Sequence, residues 1–374
     1  MLNKLDNKTY LQSNLHSALK IFQASSSAEG NLLISPYSLL NNFALIYTGS
    51  RGETKEQIAQ VLQFPQDPAQ LNSTSREYIE LISSICSKGE NEVLFAHSLW
   101  PQVYTPFFSS FTRLARENYL ADLTIQDYTR PEKVRQAIND WADNKTDHKI
   151  QELLPSGKLN DFIRMIVVQL GYFRGSWIKQ FNPANTRSAL FFTKKIEWYD
   201  IPMMSQTGLF NYYGDEEIQW IEIPFQGQDF SITIILPRQM DNLTQIVSSI
   251  TQEKLLDWET NAQPTQVELS MPRFEMNTSL QLCPALRSLG INLAFGPQAD
   301  FSGMNGFNWH YISICLHRAS IKVDENYHQP TTGAPDIPPK MNSEATFHVD
   351  HPFLFLVRET LHGGILFIGR FCKP

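Results

Sequence analysis

The chain has 374 residues, 42% apolar and 18% charged, with no Pro-, Gly- or Ser-dominated tract dividing one half from the other. That length and evenness predict one large domain spanning residues 1–374 rather than two joined by a linker. Lys and Arg number 31 against 38 Asp and Glu, a net charge of −7 with no basic run, which excludes a nucleic-acid partner that would need a cationic stripe against phosphates. No stretch approaches the ~18 consecutive apolar residues of a membrane span, so a soluble monomer is expected.

The opening Met1-Leu-Asn-Lys-Leu-Asp-Asn-Lys8 is polar where a secretory signal carries its apolar stretch. The expected compartment is therefore the cytoplasm, an extracellular one requiring a signal already removed or a signal-independent route. Behind Ser35-Pro36, the run from Tyr37 to Tyr47 sets Leu40, Phe43, Ala44 and Tyr47 at i, i+3, i+4 and i+7, and Gly49 closes it. That spacing predicts a helix deep in the core. Thr54 with Gln57 reads as a capping box ahead of Ile58, Val61 and Leu62. Thr129 with Glu132 reads the same way ahead of Val134, Ala137, Ile138 and Trp141, with Pro131 in the first turn.

Strands follow the helical first third. Met165–Phe173, Phe230–Leu236 and Val267–Met271 are rich in branched and aromatic residues, and the last alternates apolar with polar positions. Asp324 to Thr346 breaks the pattern: it holds Pro330, Pro335, Pro338 and Pro339 and no apolar period, which predicts a loop of about twenty residues. After it, Pro352 to Val357, the turn His362-Gly363-Gly364 and Ile365 to Ile368 predict a hairpin buried on both faces.

Catalytic and cofactor motifs are missing. There is no G-x-S-x-G, H-E-x-x-H, P-loop or G-x-G-x-x-G, so neither an enzyme nor a cofactor is expected. His348-x-x-His351 has metal-ligand residue types but enters the hairpin, and structural histidines are the better expectation there. Cys86, Cys283, Cys315 and Cys372 are widely spaced thiols without a C-x-x-C pair, which suggests neither zinc nor a redox dithiol. Asn7, Asn72, Asn144, Asn242 and Asn277 open N-x-S/T sequons that matter only if the chain meets a glycosylation machinery.

Several segments together resemble the serpin family: Asn31-Leu-Leu-Ile-Ser-Pro-Tyr-Ser38, Thr48 to Ile58, Tyr172-Phe-Arg-Gly-Ser-Trp177, Ala299-Asp-Phe-Ser-Gly303 and Asp350-His-Pro-Phe-Leu-Phe355. The resemblance covers almost the whole chain. It implies an α/β fold with a helical N-terminal region, a large central sheet, further sheets and an exposed reactive-centre loop at about residues 325–346. In inhibitory relatives that loop is bait for a serine or cysteine endopeptidase, and after cleavage it enters the central sheet as a new strand. By the family's loop length the scissile bond falls at Met341-Asn342, with Lys340-Met341 the choice of a trypsin-like enzyme. Ser35, Ser38 and His317 match the family's shutter cluster, where Gln169 replaces the usual asparagine. Glu325 matches the hinge glutamate, and Arg273 its basic partner near Trp177 in the breach. An ordinary surface ion pair there would contribute little.

The hinge departs from the family's small residues. It reads Glu325, Asn326, Tyr327, His328, Gln329, Pro330, Thr331 and Thr332. A central strand donates backbone N–H groups on both edges, and proline has none to give. Pro335 and Pro339 lie on the opposite parity from Pro330 and Pro338, so every frame of insertion meets missing donors, and one frame buries Asp336. The expected function is a non-inhibitory or substrate-like serpin presenting its loop to peptidases. Suicide inhibition and a role as ligand carrier or chaperone are the alternatives.

Overall fold

The structure, a computed structural model, describes residues 8–26, 30–103, 106–325 and 344–374. Its first helices are α1 (Lys8–Ser25), α2 (Pro36–Gly49), α3 (Gly52–Leu62), α4 (Pro68–Cys86), α5 (Ser109–Tyr119) and α6 (Pro131–Lys145). Helix α2 starts where the sequence places it. The Ser35 hydroxyl oxygen accepts from the Ser38 N–H at 3.2 Å and Pro36 occupies the first turn, a combination that satisfies one orphan donor and supplies a residue without one. It is buried on nearly every side, as befits a helix apolar all round.

The two expected capping boxes do not form. Helix α3 starts at Gly52 with Arg51 at its cap. Thr54 Oγ1 instead accepts from Asp300 N, and Gln57 Oε1 accepts from the N–H groups of Asn292 and Leu293. Helix α6 has Arg130 at its cap; the Thr129 hydroxyl donates to Asp127, while Glu132 takes Arg135 and the Gly157 N–H. In both cases a tertiary or neighbouring partner outcompetes the local motif.

Numbered along the chain, the strands are β1 (Leu32–Ile34), β2 (Glu92–Pro101), β3 (Ala121–Leu123), β4 (Met165–Arg174), β5 (Arg187–Lys194), β6 (Glu197–Gly214) and β7 (Ile218–Pro224). They continue as β8 (Phe230–Pro237), β9 (Gln263–Pro272), β10 (Phe274–Gln281), β11 (Ile314–Val323), β12 (Ala345–His348), β13 (Phe353–Glu359) and β14 (Ile365–Phe371). Five of them form a central sheet in the order β10–β11–β4–β2–β3. The other nine run β1–β14–β13–β8–β7–β6–β9–β12, with β5 paired to β6 off that path. The predicted hairpin is β13 and β14, antiparallel and buried on both faces. The patternless stretch is shorter at its far end than the sequence suggests, because Ala345 and Thr346 already belong to β12, paired in parallel with β9.

Strand β4 is buried on both faces, and the two faces meet different helices. Ile166, Val168 and Leu170 pack with Val134, Ile138 and Ala142 of α6. Val167 and Phe173 join the larger core together with α2 and the hairpin. Close approach of α2 needs Gly171, where a Cβ would sit 3.0 Å from the Phe367 ring and 3.2 Å from Ser35 Cβ.

Candidate functional site

Strands β4 and β11 lie side by side and parallel at the centre of the five-stranded sheet, in register from Ile166 opposite Ile314 to Arg174 opposite Lys322. Chain direction gives this seam its chemistry. A segment that left Val323 and turned back between the two strands would run antiparallel to both, exchanging one slanted parallel ladder for two antiparallel ones. The seam is thus a slot whose new edges would require N–H and C=O groups from the incoming segment.

Behind the seam lies a buried polar row. His317 on β11 pairs in register with Gln169 on β4, which in turn faces His97 on β2. The Ser35 N–H donates to His317 Nε2 at 2.9 Å, and the Ser38 hydroxyl reaches the Leu170 carbonyl at 3.0 Å. Asn42 of α2 donates to the Val168 carbonyl at 2.9 Å. Ser35, Ser38 and His317 therefore stand together. Gln169 does not join them: its amide lies 3.5 Å from Cys315 Sγ. His317 Nδ1 and His97 Nδ1 have no hydrogen-bond partner among the described residues. Burial pushes the His317 pKa down to about 3. Burial also lowers that of His97, to about 4, against the opposing pull of Asp122.

The loop-proximal end of the seam is tied by charge. Asp324, directly after β11, takes Arg174 of β4 at 2.9 Å and Lys322 at 3.7 Å. The Trp177 indole N–H donates to the Asp324 carbonyl at 2.7 Å. Glu325 accepts from the Thr186 hydroxyl at 2.6 Å and stands 3.7 Å from Arg273. Trp177, Arg273 and Glu325 thus share one corner. Arg174 and Asp324 meet here through the β4–β11 register, and Thr186 reaches Glu325 from the segment just before β5, so no local sequence pattern marks these contacts. Asn326, Tyr327, His328, Gln329, Pro330, Thr331 and Thr332 lie outside the described residues, as do Lys340, Met341 and Asn342.

Trp177 is held by stacking on Phe225, ring centroids 4.7 Å apart. At Gly175 an added Cβ would clash with the edge of the Phe225 ring. Gly175→Ala is expected to push Phe225 off the indole and cost about 1–3 kcal/mol, read as a lowered urea midpoint with unchanged slope.

His351 is structural in its contacts: Nδ1 lies 2.7 Å from Asp350 Oδ1 and Nε2 lies 2.8 Å from the Pro237 carbonyl. His348 is exposed, and among the described residues no group of three or more His, Cys, Asp or Glu is placed to hold a metal ion. No helix is long and apolar enough to cross a membrane among those residues.

Comparison with known proteins fits this geometry. The family model described as Serpin (serine protease inhibitor) matches residues 12–374. Serpin B3 of Homo sapiens is 30% identical over 94% of this chain and 96% of its own length. The leukocyte elastase inhibitor of Sus scrofa is 31% identical over 96% of this chain and 98% of its own. Among solved structures, Serpin48 of Tenebrio molitor, described as a highly specific serpin, superposes with a TM-score of 0.88 at 26% identity, covering 100% of both chains.

Proposed function

Because this chain belongs to the serpin family, we propose that it offers its 326–343 segment to a serine or cysteine endopeptidase and is cut there as a substrate, without threading the freed segment into its sheet. The protein does no catalysis of its own in this reading. The observation that carries it is the pairing of the slot with the sequence that would fill it. The β4–β11 seam is closed along nine paired positions, and an entering strand must donate to both neighbours along that length. Pro330, Pro335, Pro338 and Pro339 withhold donors on both sides, each leaving a carbonyl unsatisfied at about 1–3 kcal/mol. Entry that slow gives the acyl-enzyme time to hydrolyse, which leaves a nicked chain and a free peptidase.

The names of the relatives favour a second reading. A protein called leukocyte elastase inhibitor, 31% identical over nearly its whole length, points to suicide inhibition with Met341 or Lys340 as bait. Incubation with elastase-, chymotrypsin- and trypsin-like endopeptidases separates the two. A substrate yields chain cut near Met341-Asn342, full residual peptidase activity and little change in melting temperature. An SDS-stable complex of summed mass, with residual activity falling to zero at an equimolar ratio, would instead establish the inhibitor.

A further inference from the structure

The β5–β6 hairpin ends in a ribbon of only two strands. Residues 197–202 of β6 pair with β5 alone, and β9 joins the strand only from Met203 onward. The inner face of the ribbon is fastened: Phe191 is buried against Phe371 with ring centroids 5.3 Å apart, and Phe192 N donates to the Asp350 carbonyl at 2.7 Å. The outer face carries Leu190 and Phe192 on one strand and Trp198 on the other, Phe192 standing opposite Trp198. Every residue from 194 to 200 is exposed. Ile196 at the turn is 87% accessible, Trp198 54%, and Leu190 and Tyr199 42% each. A two-stranded ribbon with so much bare apolar surface is poorly matched to water, and such a patch points to an occupant.

Charge at the base of the ribbon narrows the choice. A cleft of about 370 Å³ opens there, lined by Thr193, Lys194, Glu197, Asp241, Arg370 and Lys373. Arg370 is buried and its Nε donates to the Gly30 carbonyl at 2.8 Å, while the Glu197 carboxylate accepts from the Tyr199 hydroxyl at 3.1 Å. Lys194 and Lys373 form no ion pair with any described residue, and Lys195 extends the same sign to the turn. Asp241 is the one carboxylate of the cleft left to oppose them. Compact ammonium groups of this kind take phosphate as point charges.

Area decides against a second copy of the chain. The exposed apolar side chains present roughly 400 Å², so two hairpins meeting face to face would bury about 800 Å², short of the ~1,200 Å² at which stable pairs begin. A bilayer asks for no matching shape. An indole, a phenol and an aliphatic tip beside lysines is the set that settles at headgroup depth, rings and stems in the acyl boundary and ammonium groups in water. We propose that the β5–β6 hairpin docks this protein on the surface of an anionic phospholipid bilayer, with Ile196 and Trp198 entering the interface and Lys194 and Lys373 taking a headgroup phosphate. The chain then lies on the membrane and does not span it.

Flotation of the full chain with vesicles of phosphatidylcholine, alone or with about one-third phosphatidylserine, tests this. Trp198 is the one exposed indole, the other six being buried or half-buried, so a blue shift of emission and quenching by brominated lipid report its entry. The parent is expected to float with the anionic vesicles and to show both signals. Ile196→Ser and Trp198→Ser should each weaken partition about 10-fold. Lys194→Ala should weaken it about 5-fold on the anionic vesicles alone, an effect that high salt removes. All three positions are exposed, and thermal melts confirm that the variants fold. A parent that floats with neither vesicle overturns the proposal, as does flotation that Ile196→Ser and Trp198→Ser leave within twofold. A dimer in sedimentation velocity, or a stoichiometric protein partner, that Ile196→Ser dissolves would assign the face to protein and overturn it as well.

Discussion

Replacing Pro330, Pro335, Pro338 and Pro339 by alanine, with Asp336→Ala added, is expected to turn a chain that is merely cut into one that captures its peptidase. Each substitution restores an N–H, and the last removes a carboxylate that one frame of entry would bury unpaired. A strand of about ten residues closing into the β4–β11 seam adds on the order of ten ladder hydrogen bonds, about 10 kcal/mol net. For a chain of this length that raises melting after cleavage by on the order of 10 °C. Differential scanning calorimetry of parent and variant, each nicked by the same elastase-type enzyme, reads the difference, and denaturing gels read the trapped complex. A nicked variant that melts where the nicked parent does would show that something other than missing donors keeps the seam closed.

Acid is expected to weaken the fold through the row behind that seam. His317 and His97 are buried, with their pKa values pushed down to about 3 and about 4, against ~6.5 in an unfolded chain. The folded state therefore keeps both rings neutral while the unfolded state takes up protons. Stability is complete above pH 6.5 and is lost as pH falls from there, through about 4 for His97 and about 3 for His317. At about 1.4 kcal/mol per pH unit and group, the two together cost roughly 5 kcal/mol between pH 7.5 and 4.5. Urea midpoints of the parent, His317→Gln and His97→Gln at those two pH values isolate the rings from the carboxylates, which titrate alike in all three. Each variant should lose about half of the histidine-dependent drop. Parallel curves for all three proteins would place the acid sensitivity elsewhere.

The sequence carried the fold further than it carried the site. Helix α2 was legible because Ser35-Pro36 and an apolar period act locally, and β4 and the β13–β14 hairpin because branched residues run uninterrupted where both faces are buried. The capping boxes at Thr54 and Thr129 misled for the converse reason. Their side chains had better partners at Asp300 and Asp127, and only the Asp127 contact lies close in sequence. Family resemblance named Ser35, Ser38, His317, Gln169, Trp177, Arg273 and Glu325, and the structure gives each a position. Gln169 lies in register beside His317, but its amide turns toward Cys315. His97, Arg174 and Asp324 were invisible in one dimension, since what places them is the lateral register of three strands.

That turn of Gln169 toward Cys315 gives the chain a built-in reporter. Cys315 is fully buried behind the seam, and burial holds its thiol well above the ordinary range, so an alkylating reagent finds no thiolate while β4 and β11 are joined. Cys86 and Cys372 are partly exposed and would label first, marking the dose. Mass spectrometry of the Cys315 peptide would then count how often the central strands part in the uncut molecule, with no mutation or dye introduced.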